Sequence, residues 1–245
     1  MKLKIINPDY GLSEEEIKSR VVILQKVARP DTIISMECPT NNNIYIDSQL
    51  DVAIDSNEII QMALRAERQG YDAIGIYCFS DPAIEACREM LTIPVLGGGQ
   101  TSILTAALLG NSFSIITTGK QRISQKKEFV RTTGVDYTRL CSVRSIEYSM
   151  VEAEREDVDK KVDALTKVGE KCVEDGADVV ILGCLSFVGI ADKISERIGV
   201  PVVDPAFTLI PMAELMVTSH ITHSKKSYPF PPKRERSWSG GTIKI

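Results

Sequence analysis

Two cysteines occupy the same position in a unit that the chain contains twice. Gly70 to Gly97 reads GYDAIGIYCFSDPAIEACREMLTIPVLG, and Gly176 to Asp204 reads GADVVILGCLSFVGIADKISERIGVPVVD. In each, a Gly precedes a Cys by eight residues across a short apolar run. A helical pattern then leads to Ile93-Pro94-Val95-Leu96 in one copy and Val200-Pro201-Val202-Val203 in the other. From Cys to Pro is 16 residues in the first copy and 17 in the second. A single free cysteine is most often buried filler, and Cys38, Cys87, Cys141 and Cys172 are read that way. Duplication at one strand end sets Cys78 and Cys184 apart. A thiolate facing a thiol across a bound molecule is a base facing an acid. That pair suits removing a proton from one face of a carbon and returning it to the other.

Each of these cysteines must be held by the strand it ends and by whatever follows. Asp81-Pro82 after Cys78 fits a helix N-cap and a first helical residue. A helix N-terminus there offers unpaired N–H groups to a carboxylate or enolate oxygen. Its partial positive charge favours thiolate and draws the Cys pKa toward neutrality.

The surrounding elements repeat as well. Leu3–Ile6 reads as a buried strand ended by Asn7-Pro8, and Ser13 with Glu16 is a capping-box pattern opening a helix. Thr32–Met36 is a strand, residues 41 to 53 are an irregular excursion long enough to form a lid or rim, and Asp55 or Ser56 is placed as the next N-cap. Gly70 stands where a left-handed residue ends that helix. In the second half, Phe113–Thr117 and Thr138–Val143 are strands, and a charged irregular segment runs through Lys161. A helix then carries Val162, Leu165, Val168, Gly169 and Cys172 on one face up to Gly176. From the second strand to the Cys is 44 residues counted from Ile34 and 43 from Cys141, so the period lies near ~105 residues, that of a duplicated domain. Strands alternating with helices, and apolar throughout, predict parallel sheets covered on both faces. The expected fold is α/β, two pseudo-symmetric flavodoxin-like sandwiches with the site in the cleft between them. Residues 1–99 with 206–245 form the first domain and 100–205 the second. Ligands in such sheets bind outside the carboxyl ends of the strands. Gly97-Gly98-Gly99 lacks a Walker lysine and reads as a tight passage between the halves. Residues 224 to 245 read as a partly ordered tail, with a strap over the site or a subunit contact as the sharper reading.

Composition narrows the class. The chain has 245 residues, 43% hydrophobic and 25% charged, with a net charge of −4, which gives nucleic acid or an anionic membrane no purchase. No apolar run approaches a membrane span, and MKLKIINPDYG lacks the apolar core of a secretion signal, so a cytoplasmic protein is expected. No CxxC or HxxxH pair occurs, and the two histidines, His220 and His223, fall at a fraying helix end. The acidic run at residues 152 to 159 reads as a solvated face. Nothing supplies a pyridoxal lysine or a metal motif, so the chemistry is read as cofactor-free. The partner is a small-molecule substrate, and a homo-oligomer is compatible with the sequence.

The chain resembles the aspartate/glutamate/hydantoin racemase superfamily, and most closely its hydantoin/allantoin racemase branch. The resemblance rests on IINP at the start, YCFSDP around Cys78, PVLGG after it, SIITTG, SVRSIE at residues 142 to 147, and LGC…GVPVVDP at the second Cys. It implies a cofactor-independent racemase with Cys78 and Cys184 as the acid–base pair. It also implies that Asn7, Phe79, Ser80, Thr117, Thr118, Leu185 and Ser186 hold the substrate's oxygens. The chain departs from the branch where Asp9-Tyr10 follow the opening Asn-Pro, and where Asn43 and Gln100 stand in place of carboxylates. Amides there bring N–H donors and point to an anionic substrate rather than a neutral ureide ring. Cis–trans isomerisation of an unsaturated diacid is the alternative reaction, and a non-catalytic small-molecule binder on the same scaffold is the alternative class.

Overall fold

The computed structural model of the chain describes residues 1–147, 157–238 and 241–244. Two four-stranded parallel sheets with flanking helices carry the fold, and their strand orders match. The first sheet runs β2-β1-β3-β4, built from β1 (Lys2–Ile6), β2 (Ile33–Glu37), β3 (Ala73–Ile76) and β4 (Val95–Gly97). The second runs β6-β5-β7-β8, from β5 (Phe113–Thr118), β6 (Leu140–Ile146), β7 (Val179–Leu182) and β8 (Val202–Val203). All six strand pairs within them are parallel. Strands β3 and β7, which carry the cysteines, are buried at every residue, as sheets covered on both faces require.

The helices follow the expected order with four differences. Helix α1 (Glu14–Gln25) opens on the Ser13/Glu16 capping box, with both reciprocal bonds present. Helix α2 (Gln49–Arg68) begins earlier than expected. Ser48, not Asp55 or Ser56, is the N-cap, accepting from the Asp51 N–H, while Asp55 faces the protein interior one turn on. Gly70 and Gly176 sit in the left-handed region at φ +77° and +97°, where a side chain would be strained. Helix α3 (Ile84–Met90) starts two residues after Pro82, and Asp81 does not cap it. Helix α4 (Gly98–Leu109) is the third difference: the three-glycine passage opens directly into a helix. Its sequence, GGQTSILTAALL, is apolar around most of its circumference, so it carries no amphipathic period. Helix α5 (Arg122–Thr132) follows β5, and α6 (Val158–Glu174) begins at Val158, three residues before the charged segment was expected to end. Asp157 caps α6, and the rest of the acidic run before it lies outside the described residues. Helices α7 (Ala191–Ile198) and α8 (Pro205–Thr218) close the second half.

Helix α4 packs against β4, β7 and β8, and α8 packs against β3, β4 and α4. Helix α4 thus spans from one sheet to the other, and α8, which leaves the second sheet at β8, packs back on the first. One apolar core results, in which Leu3, Ile5 and Leu96 of the first sheet share a cluster with Ile115, Val179 and Ile181 of the second. That shared core fixes how the carboxyl ends of the two sheets face each other. After α8 the chain follows the first sheet's edge. Val95 N–H donates to His223 Nε2 at 2.9 Å, and Lys225 Nζ bonds the Arg88, Glu89 and Leu91 carbonyls that end α3. His220 is exposed, but His223 is part of this docking rather than a frayed end. The tail closes in a hairpin of β9 (Glu235–Trp238) and β10 (Gly241–Lys244). None of the described helices is long and apolar enough to cross a membrane.

Candidate active site

The strand ends converge on a small cavity of about 30 Å³, space for one or two water molecules. Cys78 and Cys184 both line it, one from each half. Neither precedes an α-helix directly. The chain turns through residues 78–83 after the first, with Asp81 and Ala83 at φ +46° and +59°, and a single 3-10 turn, Leu185–Phe187, follows the second. In place of a helix N-terminus, each sulfur meets the serine two residues on. Ser80 N–H donates to Cys78 Sγ at 3.5 Å, and Cys184 Sγ lies 3.0 Å from Ser186 Oγ.

The cysteine loops are anchored in related ways. Asp81 accepts from the Gly99 and Gln100 N–H groups at 2.8 Å each, so it caps α4 rather than α3. In the other half Asp204 caps α8 and also accepts from Gly189 N–H at 2.7 Å. Tyr77, next to Cys78, donates its hydroxyl to the Leu185 carbonyl beside Cys184 at 3.0 Å. The room for this is tight: a Cβ on Gly99 would lie 2.2 Å from the Phe79 carbonyl oxygen.

Of the residues expected to bind substrate, Asn7, Phe79, Thr117, Thr118, Leu185 and Ser186 line the cavity, and Ser80 adjoins it. Asn7 Oδ1 and Thr117 Oγ1 are buried with no hydrogen-bond partner among the described residues. Asp9 also lines the cavity and accepts from Ile46 N–H at 3.1 Å. The other three specificity candidates lie outside the wall. Tyr10 is exposed, and Asn43 stands in the excursion. Gln100 Oε1 accepts from Arg88 at 2.7 Å.

Residues 4–213 match the family model described as Asp/Glu/Hydantoin racemase. The chain belongs to this family. It is 31% identical to the hydantoin racemase of Paenarthrobacter aurescens over 96% of this chain and 99% of that one. It is 30% identical to the hydantoin racemase of Pseudomonas sp. (strain NS671) over 96% of this chain and 94% of the relative. Allantoin racemase from Klebsiella pneumoniae shares the fold at a TM-score of 0.89 and 23% identity, covering 98% of this chain and 97% of that one. A maleate isomerase from Pseudomonas putida S16 shares it at 0.66 and 12%, covering 90% and 92%. The family makes this protein an isomerase of the racemase class.

The cavity carries a set of charged residues that sequence reading did not single out. Arg122 and Lys126, four residues apart on α5, both line the cavity and are 5% and 2% exposed, and Arg20 reaches it from α1. Arg122 donates to the Ile46 carbonyl at 2.8 Å and to Ser80 Oγ at 3.0 Å, while its Nε has no partner among the described residues. Two basic residues at i and i+4 just after the Thr117-Thr118-Gly119 strand end were the available signal, because that spacing puts both on one helix face. Burial pushes the Cys78 thiol up to about 12, against the opposing pull of Lys126 and the Ser80 N–H. It raises Cys184 as well, against the bonds from Ser186. The expected lowering of the thiols by helix N-termini is therefore not what this site shows. Burial lowers Lys126 to about 8, an effect reinforced by neighbouring Arg122.

Proposed function

We propose that this protein is a cofactor-independent racemase or epimerase that inverts a carbon next to a carbonyl, with Cys78 and Cys184 as its acid–base pair. The substrate is of hydantoin, allantoin or amino-acid type, in keeping with the hydantoin racemases that the chain is similar to. The observation that carries the reading is the convergence of two cysteines, from equivalent strand ends of a repeated unit, on one cavity. One sulfur, as thiolate, takes the α-proton, and the thiol opposite returns a proton to the other face. Asn7 Oδ1 is an acceptor for a substrate N–H, and Thr117 Oγ1 and the backbone beyond each cysteine supply donors for its oxygens.

A cavity for one or two waters is too small for a five-membered ring, so entry requires the wall to move. The excursion between β2 and α2 is the piece to move. Its Ile46 is held over the cavity by Asp9 on its N–H and by Arg122 on its carbonyl. Closing it over substrate excludes water and completes the site.

The test is to screen 5-substituted hydantoins, allantoin, aspartate and glutamate by polarimetry with wild type, Cys78→Ser and Cys184→Ser. Wild type is expected to racemise one class and each single variant to lose racemisation, while retaining α-proton exchange of one enantiomer in deuterium oxide. Normal racemisation by either variant removes the two-base mechanism. A covalent cysteine adduct trapped with an unsaturated diacid would instead assign cis–trans isomerisation.

A further inference from the structure

We propose that Lys126 is the single counter-charge shared by both catalytic sulfurs, holding in turn whichever one is the thiolate. The inference rests on the two-cysteine reading above and adds a residue to it. It starts from a cation that is placed at a cost. Lys126 is 2% exposed, and removing an ammonium from water costs several kcal/mol unless an anion meets it. No carboxylate lies within ion-pair distance of it among the described residues. Its one hydrogen bond among those residues is a long one, 3.4 Å to Ser80 Oγ, and its Nζ stands 4.6 Å from the centre of the Phe79 ring. Those contacts place the ammonium against the two residues that follow Cys78. The same ammonium lines the cavity that Cys184 enters from the other half, and it attracts negative charge at either sulfur. The other charged groups facing this space are Asp9, Arg20 and Arg122, with Asp81 behind the Cys78 loop. Of the cations, Arg122 is engaged with Ile46, Ser80 and Asp47.

The chemistry explains why one shared cation serves better than two. At the start one sulfur is a thiolate and the other a thiol. The thiolate takes the α-proton and becomes a thiol, leaving an enolate. The opposite thiol gives its proton to the other face of the carbon and becomes the thiolate. Protons balance, Lys126 keeps its own throughout, and one negative charge has crossed the cavity. A cation tied to one sulfur alone would stabilise one end of this transfer and oppose the reverse. A cation facing both stabilises each end. It also takes over the role expected of helix N-termini, which neither sulfur has in this fold.

The experiment reads the sulfurs themselves as well as turnover. Iodoacetamide alkylation of Cys78 and Cys184 is followed residue by residue by mass spectrometry between pH 6.0 and 7.5, where Lys126 carries its charge, in wild type, Lys126→Met and Lys126→Arg. Lys126→Met is expected to slow both cysteines about tenfold, the thiolate lost per unit of pKa, with Lys126→Arg restoring most of the rate. In parallel, Lys126→Met is placed on Cys78→Ser and on Cys184→Ser, and α-proton exchange of each enantiomer of 5-benzylhydantoin is followed by NMR in deuterium oxide. Both half-reactions should fall by similar factors. Slowing confined to Cys78 would show that Lys126 only positions that loop through Ser80 and would overturn the proposal. Unchanged alkylation of both would also overturn it. If alkylation slows at both sulfurs while wild type exchanges no substrate of the panel, the shared counter-charge stands and the racemase reading fails.

Discussion

Tyr77→Phe removes one oxygen and tests whether the two cysteine loops are coupled across the cavity. The Tyr77 hydroxyl donates to the Leu185 carbonyl at 3.0 Å, and both residues are buried at 3% exposure. The ring and its neighbours stay, including Arg20, whose guanidinium lies 5.8 Å from the ring centre. A buried carbonyl stripped of its only donor would cost about 1–3 kcal/mol. Leu185 keeps a second donor, however, the Val188 N–H at 3.3 Å, so the lower end, about 1 kcal/mol, is expected. For a chain of this length that is a fall in Tm of about 2–4 °C. The rate should suffer more than the stability. Tyr77 adjoins Cys78 and Leu185 adjoins Cys184, so the bond helps set the separation of the two sulfurs, and small misplacements of reacting groups cost up to about a hundredfold. We expect kcat to fall about tenfold on the substrate that the panel identifies. Urea denaturation, differential scanning calorimetry and initial rates measure all three quantities. Wild-type kcat in a variant destabilised by ~1 kcal/mol would show that the bond supports the fold and not the pair, which refutes the coupling.

Gly99→Ala should be far more damaging than its size suggests. The new Cβ would meet the Phe79 carbonyl at 2.2 Å and the Phe129 ring at 2.6 Å, and the carbonyl is backbone, so a loss of about 3 kcal/mol or more and of most activity is expected. Gly98→Ala is the control, since it meets only the flexible Leu185 side chain at 3.0 Å and should cost much less in the same denaturation assay. His223 should make the tail's docking acid-sensitive. Burial and neighbouring Arg88 lower it to about 4, so its contribution is fully present above the ordinary His pKa near ~6.5 and is lost as pH falls through 4. His223→Gln keeps an acceptor for Val95 N–H without titrating, so wild type should lose stability relative to it between those pH values, and a constant difference would contradict the assignment.

Much that depends on local pattern was readable from the chain, though the Ser48 cap of α2 was passed over for Asp55 or Ser56. Apolar strands bounded by loops, the Ser13/Glu16 box and the two left-handed glycines gave the order of elements in each half, and the repeat paired Cys78 with Cys184. Helix α4 escaped because a helix that is apolar nearly all round has no period to detect, and its opening glycines read as a loop. One cap, Asp81, was misplaced because its better partner lay far off in sequence. Asp81 looks like an N-cap for the helix next to it, yet its carboxylate reaches α4, 18 and 19 residues on. Arg122 and Lys126 were missed for a related reason. Charged residues on a helix are ordinarily solvated, and only the approach of the first half over α5 turns these two inward.

The two halves repeat a connection more faithfully than they repeat residues. In each, a buried carboxylate ties the cysteine loop to the helix that follows the sheet's edge strand. In the first half the carboxylate is on the loop, Asp81, and the donors are at the start of α4. In the second the carboxylate is Asp204 at the start of α8, and the donor is Gly189 on the loop. Swapping donor and acceptor leaves the tether intact, so each cysteine loop is anchored to the helix after its sheet's edge strand. The charges around the pair do not repeat in this way. Helix α5 sends Arg122 and Lys126 into the cavity, and its counterpart α1 sends Arg20. The sulfurs are thus related by approximate symmetry while the walls that hold the rest of the substrate are not. Inversion needs only the symmetric part: it exchanges a proton between two faces of one carbon. On the proposed mechanism the substituents on that carbon meet the asymmetric part, so Arg122, Arg20 and Asp9, rather than the cysteines and their shared Lys126, are where one substrate would be told from another.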